Sequence, residues 1–233
     1  MKKLRKDLRK VSDKERAKNL QGFFKTKKGQ YGEGDIFLGI RVPQIREVAK
    51  KAVSRISLGD VQELLGSKFH EERLVALLIL VERYKQASDK NKKEIYNFYL
   101  ANAKRVNNWD LVDLSAPRIV GDYLLHRNRK VLYKLVKSKN LWEKRIAIVS
   151  TLMFIKYGQF SDTLKISKIL MNDKHDLIHK AVGWMLREVG KKDRKLLEGF
   201  LKENYSSLPR TTLRYAIERF PEDLRKKFLL GEV

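Results

Sequence analysis

Helical periodicity recurs from one end of the chain to the other, and it restricts the fold more than any other feature. Two of the apolar stripes with the spacing of one helix face are Leu74, Leu77, Leu78, Val81 and Tyr84, and Ile146, Val149 and Met153. Only four of the 233 residues are proline, and the alternation of apolar and polar residues that is typical of strands is scarce. The chain is therefore predicted to be all-α.

The strong helices are predicted to begin at regular intervals. Their expected starts are Glu72, Trp109, Glu143, Leu177 and Arg210, at steps of 37, 34, 34 and 33 residues. Each interval leaves room for one weaker helix and two turns, and a repeat of this length filled with helix pairs is typical of an α-solenoid. We predict an α-solenoid of HEAT-like helix pairs with a curved, concave basic surface, forming a single domain over residues 1–233.

The charge balance indicates a polyanionic partner. The chain has 52 Lys and Arg against 28 Asp and Glu, a formal net charge of +24 at pH 7. Such an excess favours nucleic acid, although a basic exterior also serves solubility or binding to acidic membrane surfaces. The absence of cysteine excludes disulfides, thiol catalysis and thiolate metal sites. No apolar run approaches the ~18 residues of a membrane span, and the basic start lacks the apolar stretch of a secretory signal, so we expect a cytoplasmic protein.

The segment from residue 106 to 117 holds the strongest candidate for chemistry. A pair of asparagines supplies an N-cap, so a helix should begin near Trp109 and place Trp109 and Asp113 on one face, four residues apart. A carboxylate beside an apolar stripe needs a reason, because an unpaired buried charge is costly. Pro117 should kink the helix near Asp113, since its ring clashes with the carbonyl four residues earlier. The structural alternatives are an ion pair or helix cap for Asp113 and core packing for Trp109.

A second candidate lies on the helix predicted to begin near Leu177. The core face of this helix is the series Ile178, Ala181, Val182, Met185, Leu186 and Val189. Trp184 lies more than about 90° from the centre of that face and shares its own side with Lys180 and Arg187. An indole between two cations suits a sugar or a flat group that carries phosphates, although Trp184 could also pack against a neighbouring helix.

Two residues of the preceding helix receive different interpretations. Trp142 is in register with the stripe of Ile146, Val149 and Met153, and it is predicted to be structural. Arg145 lies at the edge of that stripe. Its guanidinium could therefore reach either Asp113 or a phosphate.

Two further features lack what a ligand site needs. The glycine-rich loop over residues 26–35 carries Tyr31 among basic and acidic residues, but it has no Gly-Lys-Ser/Thr ending and is interpreted as a basic loop with an aromatic tip. His175 and His179 are four residues apart without a third ligand, so no metal is expected.

Four motifs follow one another along nearly the whole chain. They are Asp35-Ile-Phe-Leu-Gly-Ile-Arg-Val-Pro43, Asn108-Trp-Asp-Leu-Val-Asp113, Trp142-Glu-Lys-Arg-Ile-Ala147 and Lys180-Ala-Val-Gly-Trp-Met-Leu-Arg-Glu188. In sequence and order they resemble the AlkD-like DNA alkylation repair proteins. The resemblance implies a DNA glycosylase built from HEAT-like repeats, of a kind that contacts sugar and phosphate without drawing the base into a pocket.

The resemblance also implies roles for individual residues. A carboxylate at the position of Asp113 promotes cleavage of the glycosidic bond of an alkylated purine. Indoles at the positions of Trp109 and Trp184 lie beside the lesion. Arginines at the positions of Arg145 and Arg187 contact the DNA backbone, the first of them near the phosphate on the lesion side.

Two more residues complete the predicted DNA contacts. Tyr31 is the nearest match to a tyrosine in the family's first repeat, although the loop here is longer and richer in glycine. Lys180 shares the side of Trp184, and we expect it to contact the DNA backbone for that reason.

We therefore expect a monofunctional DNA glycosylase that hydrolyses the N-glycosidic bond of N3- or N7-alkylated purines in duplex DNA. It is expected to act as a monomer, without a cofactor. Asp113 would stabilise an oxocarbenium-like transition state and position the attacking water. The alternative is a non-catalytic repeat protein that recognises bent or branched DNA. A protein-binding scaffold is a third hypothesis, which does not explain why Trp184 lies among cations.

Overall fold

The computed structural model describes residues 1–233, and it is all-helical, as predicted. The helices are α1 (Lys2–Lys10), α2 (Lys14–Phe23), α3 (Val42–Ala52), α4 (Leu58–Leu65), α5 (His70–Gln86), α6 (Asp89–Ala101), α7 (Trp109–Ala116), α8 (Asp122–Leu124), α9 (Lys130–Leu135), α10 (Leu141–Ser150), α11 (Leu152–Lys156), α12 (Ser161–Leu170), α13 (Asp176–Lys192), α14 (Arg194–Glu203), α15 (Arg210–Ala216) and α16 (Glu222–Leu230). Contacts within the chain separate two compact units, Met1–Ser115 and Ala116–Val233. The single domain over residues 1–233 stays a prediction. No helix combines the length and apolar character needed to cross a membrane.

Helix α5 is the centre of the first unit. It packs against α3, α4 and α6, and every residue from His70 to Val81 is buried. The predicted stripe that begins at Leu74 and ends at Tyr84 is part of this core. Each large apolar side chain buried here contributes roughly 1.5–3 kcal/mol to stability. The charged first turn of α5 is buried as well, so its carboxylates and cations require partners inside the protein.

Helices α10 and α13 are the centre of the second unit. Helix α13 packs against α10, α12, α14 and α15. The starts of α10, α13 and α15 at Leu141, Asp176 and Arg210 lie within two residues of the predicted starts. This succession of packed helices at a nearly constant interval is that of an α-solenoid. The curved, basic concave surface stays a prediction.

The predicted core face of α13 is confirmed. All six of its apolar positions are buried, and Gly183 is buried with them. A Cβ atom at Gly183 would lie 2.5 Å from the Cβ of Tyr215 and 2.7 Å from the carbonyl oxygen of Thr212. The lack of a side chain at Gly183 is therefore what allows α13 and α15 to approach so closely.

The helix that begins at Trp109 changes its geometry at Pro117. Residues Pro117–Gly121 form a π-helix directly after α7. Proline has no N–H to donate, and its ring displaces the carbonyl four residues earlier, so a wider turn relieves the clash. The sequence predicted a kink at this residue, and the observed departure from α geometry is a π-helical turn.

Candidate functional site

A cleft in the first unit brings Trp109 and Asp113 together. Its volume is about 350 Å³, and it is lined by α2, the segment between α2 and α3, the first turns of α3 and α5, and α7. Trp109 and Asp113 are one helical turn apart on α7, as predicted, and both are half-buried. A cleft of this size lies within the range of small-molecule sites. The sequence showed no such pocket.

Aromatic rings form one wall of the cleft. The ring of Phe24 stacks on Trp109 at a centroid distance of 5.1 Å and an angle of 9°, and Phe37 stacks on Phe24 at 4.8 Å. Phe23 meets Trp109 edge-on at 6.0 Å and remains 65% exposed. The indole of Trp109 is therefore held in one orientation, and the exposed ring of Phe23 adjoins it.

Asp113 lies close enough to the buried hydroxyl of Tyr99 to affect its ionisation. Burial raises the pKa of the Tyr99 hydroxyl far above its usual value, and the negative charge of Asp113 raises it further. The Tyr99 hydroxyl instead forms a hydrogen bond of 2.9 Å with Ser115, whose hydroxyl also donates to the carbonyl of Leu111. Asp113 thus contributes a carboxylate to the lining of the cleft that the aromatic wall borders.

A buried polar network holds the start of α7 against α5. The Nε2 atom of His70 lies 2.8 Å from the carboxylate of Asp110, and its Nδ1 atom lies 3.4 Å from that of Asp35. Arg73 pairs with Asp35 at 2.7 Å, and the side-chain amide of Asn108 donates to the same carboxylate at 3.2 Å. Since Asn108 and Asp110 flank Trp109, the network anchors the chain on both sides of this residue.

The charges of this network stabilise each other. Burial alone would lower the pKa of His70, but the Asp110 carboxylate and the hydrogen bond with Asp35 raise it to about 9. Burial alone would raise the pKa of Asp35, and the contacts with His70 and Arg73 bring it below the usual value. At neutral pH the network therefore holds two cations and two carboxylates, so its formal charges balance.

Glu71 fixes the segment that leads into α3. Its carboxylate accepts hydrogen bonds from the backbone amides of Leu38 and Gly39, both at 2.8 Å, and of Ile40 at 3.2 Å. Gly39 has a φ of +80°, and a Cβ atom there would lie 2.0 Å from the carbonyl oxygen of Asp13. Only glycine fits at this position, and this explains why the motif over residues 35–43 contains a glycine.

Sequence reasoning missed most residues of the cleft wall and the polar network. Phe23, Phe24 and His70 stood in no motif. Asp35 and Asp110 were part of quoted motifs, and two carboxylates among apolar residues were the signal that could have identified them as network members.

In the second unit, Trp184 lies among charged residues, as expected from the helical wheel. It is half-buried, and its Nε1 atom donates to the carboxylate of Glu188 at 3.2 Å. Arg187 lies 3.7 Å from Glu188 and pairs with Glu218, while Lys180 pairs with Asp176 at 2.8 Å. These ion pairs orient the cations on the same side of α13 as the indole.

The other candidate residues are buried or half-buried and contact neighbouring parts of the protein. Trp142 is buried, as its predicted structural role requires. Arg145 is also buried and donates to the carbonyl of Leu177 at 2.6 Å, which connects α10 to α13. Tyr31 is half-buried; it does not line the cleft, and its hydroxyl lies 3.5 Å from the carbonyl oxygen of Phe23. The DNA-contacting roles of Arg145 and Tyr31 stay predictions.

Comparisons with known proteins place the chain in a family. The profile of the family described as DNA alkylation repair enzyme matches residues 4–220. Among solved structures, the chain is similar to a predicted DNA alkylation repair enzyme from Enterococcus faecalis, with a TM-score of 0.70 and 18% identity over 91% of this chain and 97% of that one. Comparison with curated proteins gives no match. Because the family profile covers nearly its whole length, the chain belongs to the DNA alkylation repair enzyme family.

Proposed function

We propose that this protein is a monofunctional DNA glycosylase that releases N3- or N7-alkylated purines from duplex DNA. The observation that carries the proposal is the cleft in which Asp113 lies one turn from an indole fixed by aromatic stacking. An alkylated purine of this kind is cationic and leaves readily, so the main barrier is positive charge developing on the sugar. A fixed carboxylate opposes that charge and can orient the attacking water.

Each residue of the cleft has a distinct part in the proposed reaction. Asp113 stabilises the oxocarbenium-like transition state. Trp109 packs on the deoxyribose, and the negative face of its ring favours the neighbouring positive charge. His70, Asp110 and Asn108 are positioning residues, because they act on the reaction only through the orientation of α7.

The second unit supplies the proposed backbone contacts. Trp184 offers an indole face to a sugar, and Arg187 and Lys180 offer cations to phosphates. Both cations now pair with carboxylates that are at least partly exposed, and such pairs contribute little to stability, so a phosphate can replace the carboxylate. Arg145 and Tyr31 complete the proposed set of DNA contacts.

The test is the release of methylated purines from methylated duplex DNA by the wild type and by Asp113→Asn. We expect the substitution to lower the rate on the order of 10²–10³-fold, which is the scale of one preorganised electrostatic group. Asp223→Asn is the matched control, because that residue is exposed in the first turn of α16, and it should leave the rate unchanged. Equal release by wild type and Asp113→Asn would remove Asp113 as the catalyst. Salt-dependent binding without any base release would favour the non-catalytic DNA-binding alternative.

A further inference from the structure

The loop between α2 and α3 presents three lysines beside the rim of the cleft. Lys25, Lys27 and Lys28 are all exposed, and none of them forms an ion pair. The acidic residue among them, Glu33, accepts a hydrogen bond from the amide of Gly29 at 2.7 Å. The three exposed lysines outnumber the carboxylate of Glu33, so this part of the loop carries net positive charge that attracts a polyanion.

Hydrogen bonds inside the loop hold it in one shape. The amide of Thr26 donates to the carbonyl of Gln21 at 3.2 Å, and that of Gly32 donates to the carbonyl of Lys25 at 3.2 Å. The amide of Lys27 donates to the side chain of Gln30 at 3.1 Å. The lysines are therefore carried on a preorganised turn, which lowers the entropic cost of binding.

The backbone of Lys25 adds an independent observation. Its φ of +51° lies in the left-handed region, which lysine adopts only at an energetic cost and glycine adopts freely. Residues held in such conformations cluster at binding and catalytic sites. Lys25 directly follows Phe24, whose ring stacks on Trp109, so the strained residue lies one position along the chain from the cleft wall.

Both ends of the loop are anchored to the cleft. At its beginning, the exposed ring of Phe23 contacts Trp109. At its end, Asp35 belongs to the buried network with His70 and Arg73. The backbone of the loop that carries the three lysines is thus held at both ends beside the cleft wall that contains Trp109.

We propose that Lys25, Lys27 and Lys28 form a phosphate-binding loop that contacts the DNA backbone beside the nucleotide in the cleft. This inference rests on the proposed function for the identity of its partner. It adds a DNA contact on the first unit that the motifs did not indicate, on the same loop as Tyr31. The hydroxyl of Tyr31 on this loop lies 3.5 Å from the carbonyl oxygen of Phe23.

The experiment compares the binding of a short unmodified duplex by the wild type and by the triple variant Lys25→Gln, Lys27→Gln, Lys28→Gln. The slope of log Kd against log salt should fall by about 0.9 for each phosphate contact that is lost, which is roughly 2–3 for the triple variant. Near 0.1 M salt its affinity should be weaker by more than about 10-fold. The matched control is Lys50→Gln, Lys90→Gln, Lys93→Gln, which removes the same charge from exposed lysines that do not adjoin the cleft.

Three outcomes would overturn the proposal. The first is an unchanged slope of log Kd against log salt in the loop variant. The second is an equal change of that slope in the control variant. The third is a loop variant that loses binding to phosphatidylserine-containing vesicles while its DNA binding stays intact. This test does not depend on catalysis. The wild type could release no methylated purine while the loop variant still showed the smaller slope of log Kd against log salt. In that case the glycosylase proposal would fail and the proposal of a DNA-contacting loop would stand.

Discussion

At the scale of single residues, burial and hydrogen bonding distinguish a tryptophan that packs in the core from one that is available to bind a ligand. Trp142 and Trp184 both lie on central helices of the second unit. Trp142 is buried in an apolar face, whereas Trp184 is half-buried and donates its N–H to Glu188. A ring that is already oriented by a hydrogen bond and bordered by Arg187 loses little freedom when it packs on a sugar.

Replacement of Trp184 by alanine should impair base release more than it impairs folding. The half-buried ring contributes part of its area to packing, so the loss in Tm should be modest, while the face offered to DNA is lost completely. Single-turnover base release and thermal unfolding of the same preparations provide the comparison. Trp184→Phe should retain part of the rate, and Tyr157→Ala, which removes an exposed aromatic ring of the same unit, should affect neither quantity. A Trp184→Ala variant that loses rate only in proportion to its lost stability would contradict the assignment.

At the scale of elements, two contacts set the geometry on which the proposals depend. The first is the polar network that joins the first turns of α5 and α7, and the second is the close approach of α13 and α15. The network needs its cations charged, and the helix pair needs a residue without a side chain.

The His70 network should make the free energy of unfolding decrease at alkaline pH. The pKa of His70 is about 9 in the folded protein, compared with an ordinary value of 6.5. Its contribution to stability is therefore fully present below about pH 6.5 and is lost as the pH rises through about 9, by up to roughly 3 kcal/mol. Chemical denaturation between about pH 6 and pH 10 measures this loss. His70→Gln should flatten the profile in that range, and His126→Gln, at an exposed histidine, should preserve it. A wild-type profile without a decline toward pH 10 would show that the ring is neutral.

The contact between α13 and α15 should not tolerate even a methyl group. In Gly183→Ala the new Cβ atom would lie 2.5 Å from that of Tyr215, so one of the helices has to move. We expect a loss of about 1–3 kcal/mol in the free energy of unfolding, the usual cost of overpacking, despite the better helix propensity of alanine. Gly199→Ala is the matched control, because a methyl group at this position of α14 would have no atom within 4 Å, and it should gain about 0.5–1 kcal/mol. Equal effects of the two substitutions would contradict the close approach.

At the scale of the whole molecule, the fold followed from local information and the cleft did not. The period of 3.6 residues is a local property, so the stripe from Leu74 to Tyr84 and the face of α13 could be predicted from neighbouring residues alone. The i, i+4 spacing of Trp109 and Asp113 is equally local. The contact of Asn108 with Asp35 joins residues 73 positions apart, and no periodicity predicts such a pair.

The same distinction explains which site residues were found. Trp184 and Arg187 share a helix face, so a helical wheel identifies them. Phe23 ends a helix that has no buried residues, and Phe24 directly follows it. The role of both rings depends on Trp109, which lies far along the chain. The net charge of +24 indicated the kind of partner, but only the positions of individual lysines indicate a particular surface.

The unequal burial of the three tryptophans has a practical consequence for spectroscopy. Trp142 is shielded, so a water-soluble quencher such as iodide should reach chiefly the indoles at positions 109 and 184. One of these lies in each compact unit, and both are proposed to contact DNA. Intrinsic fluorescence can therefore report on the occupation of each unit without an attached dye, once the other accessible tryptophan has been replaced by phenylalanine.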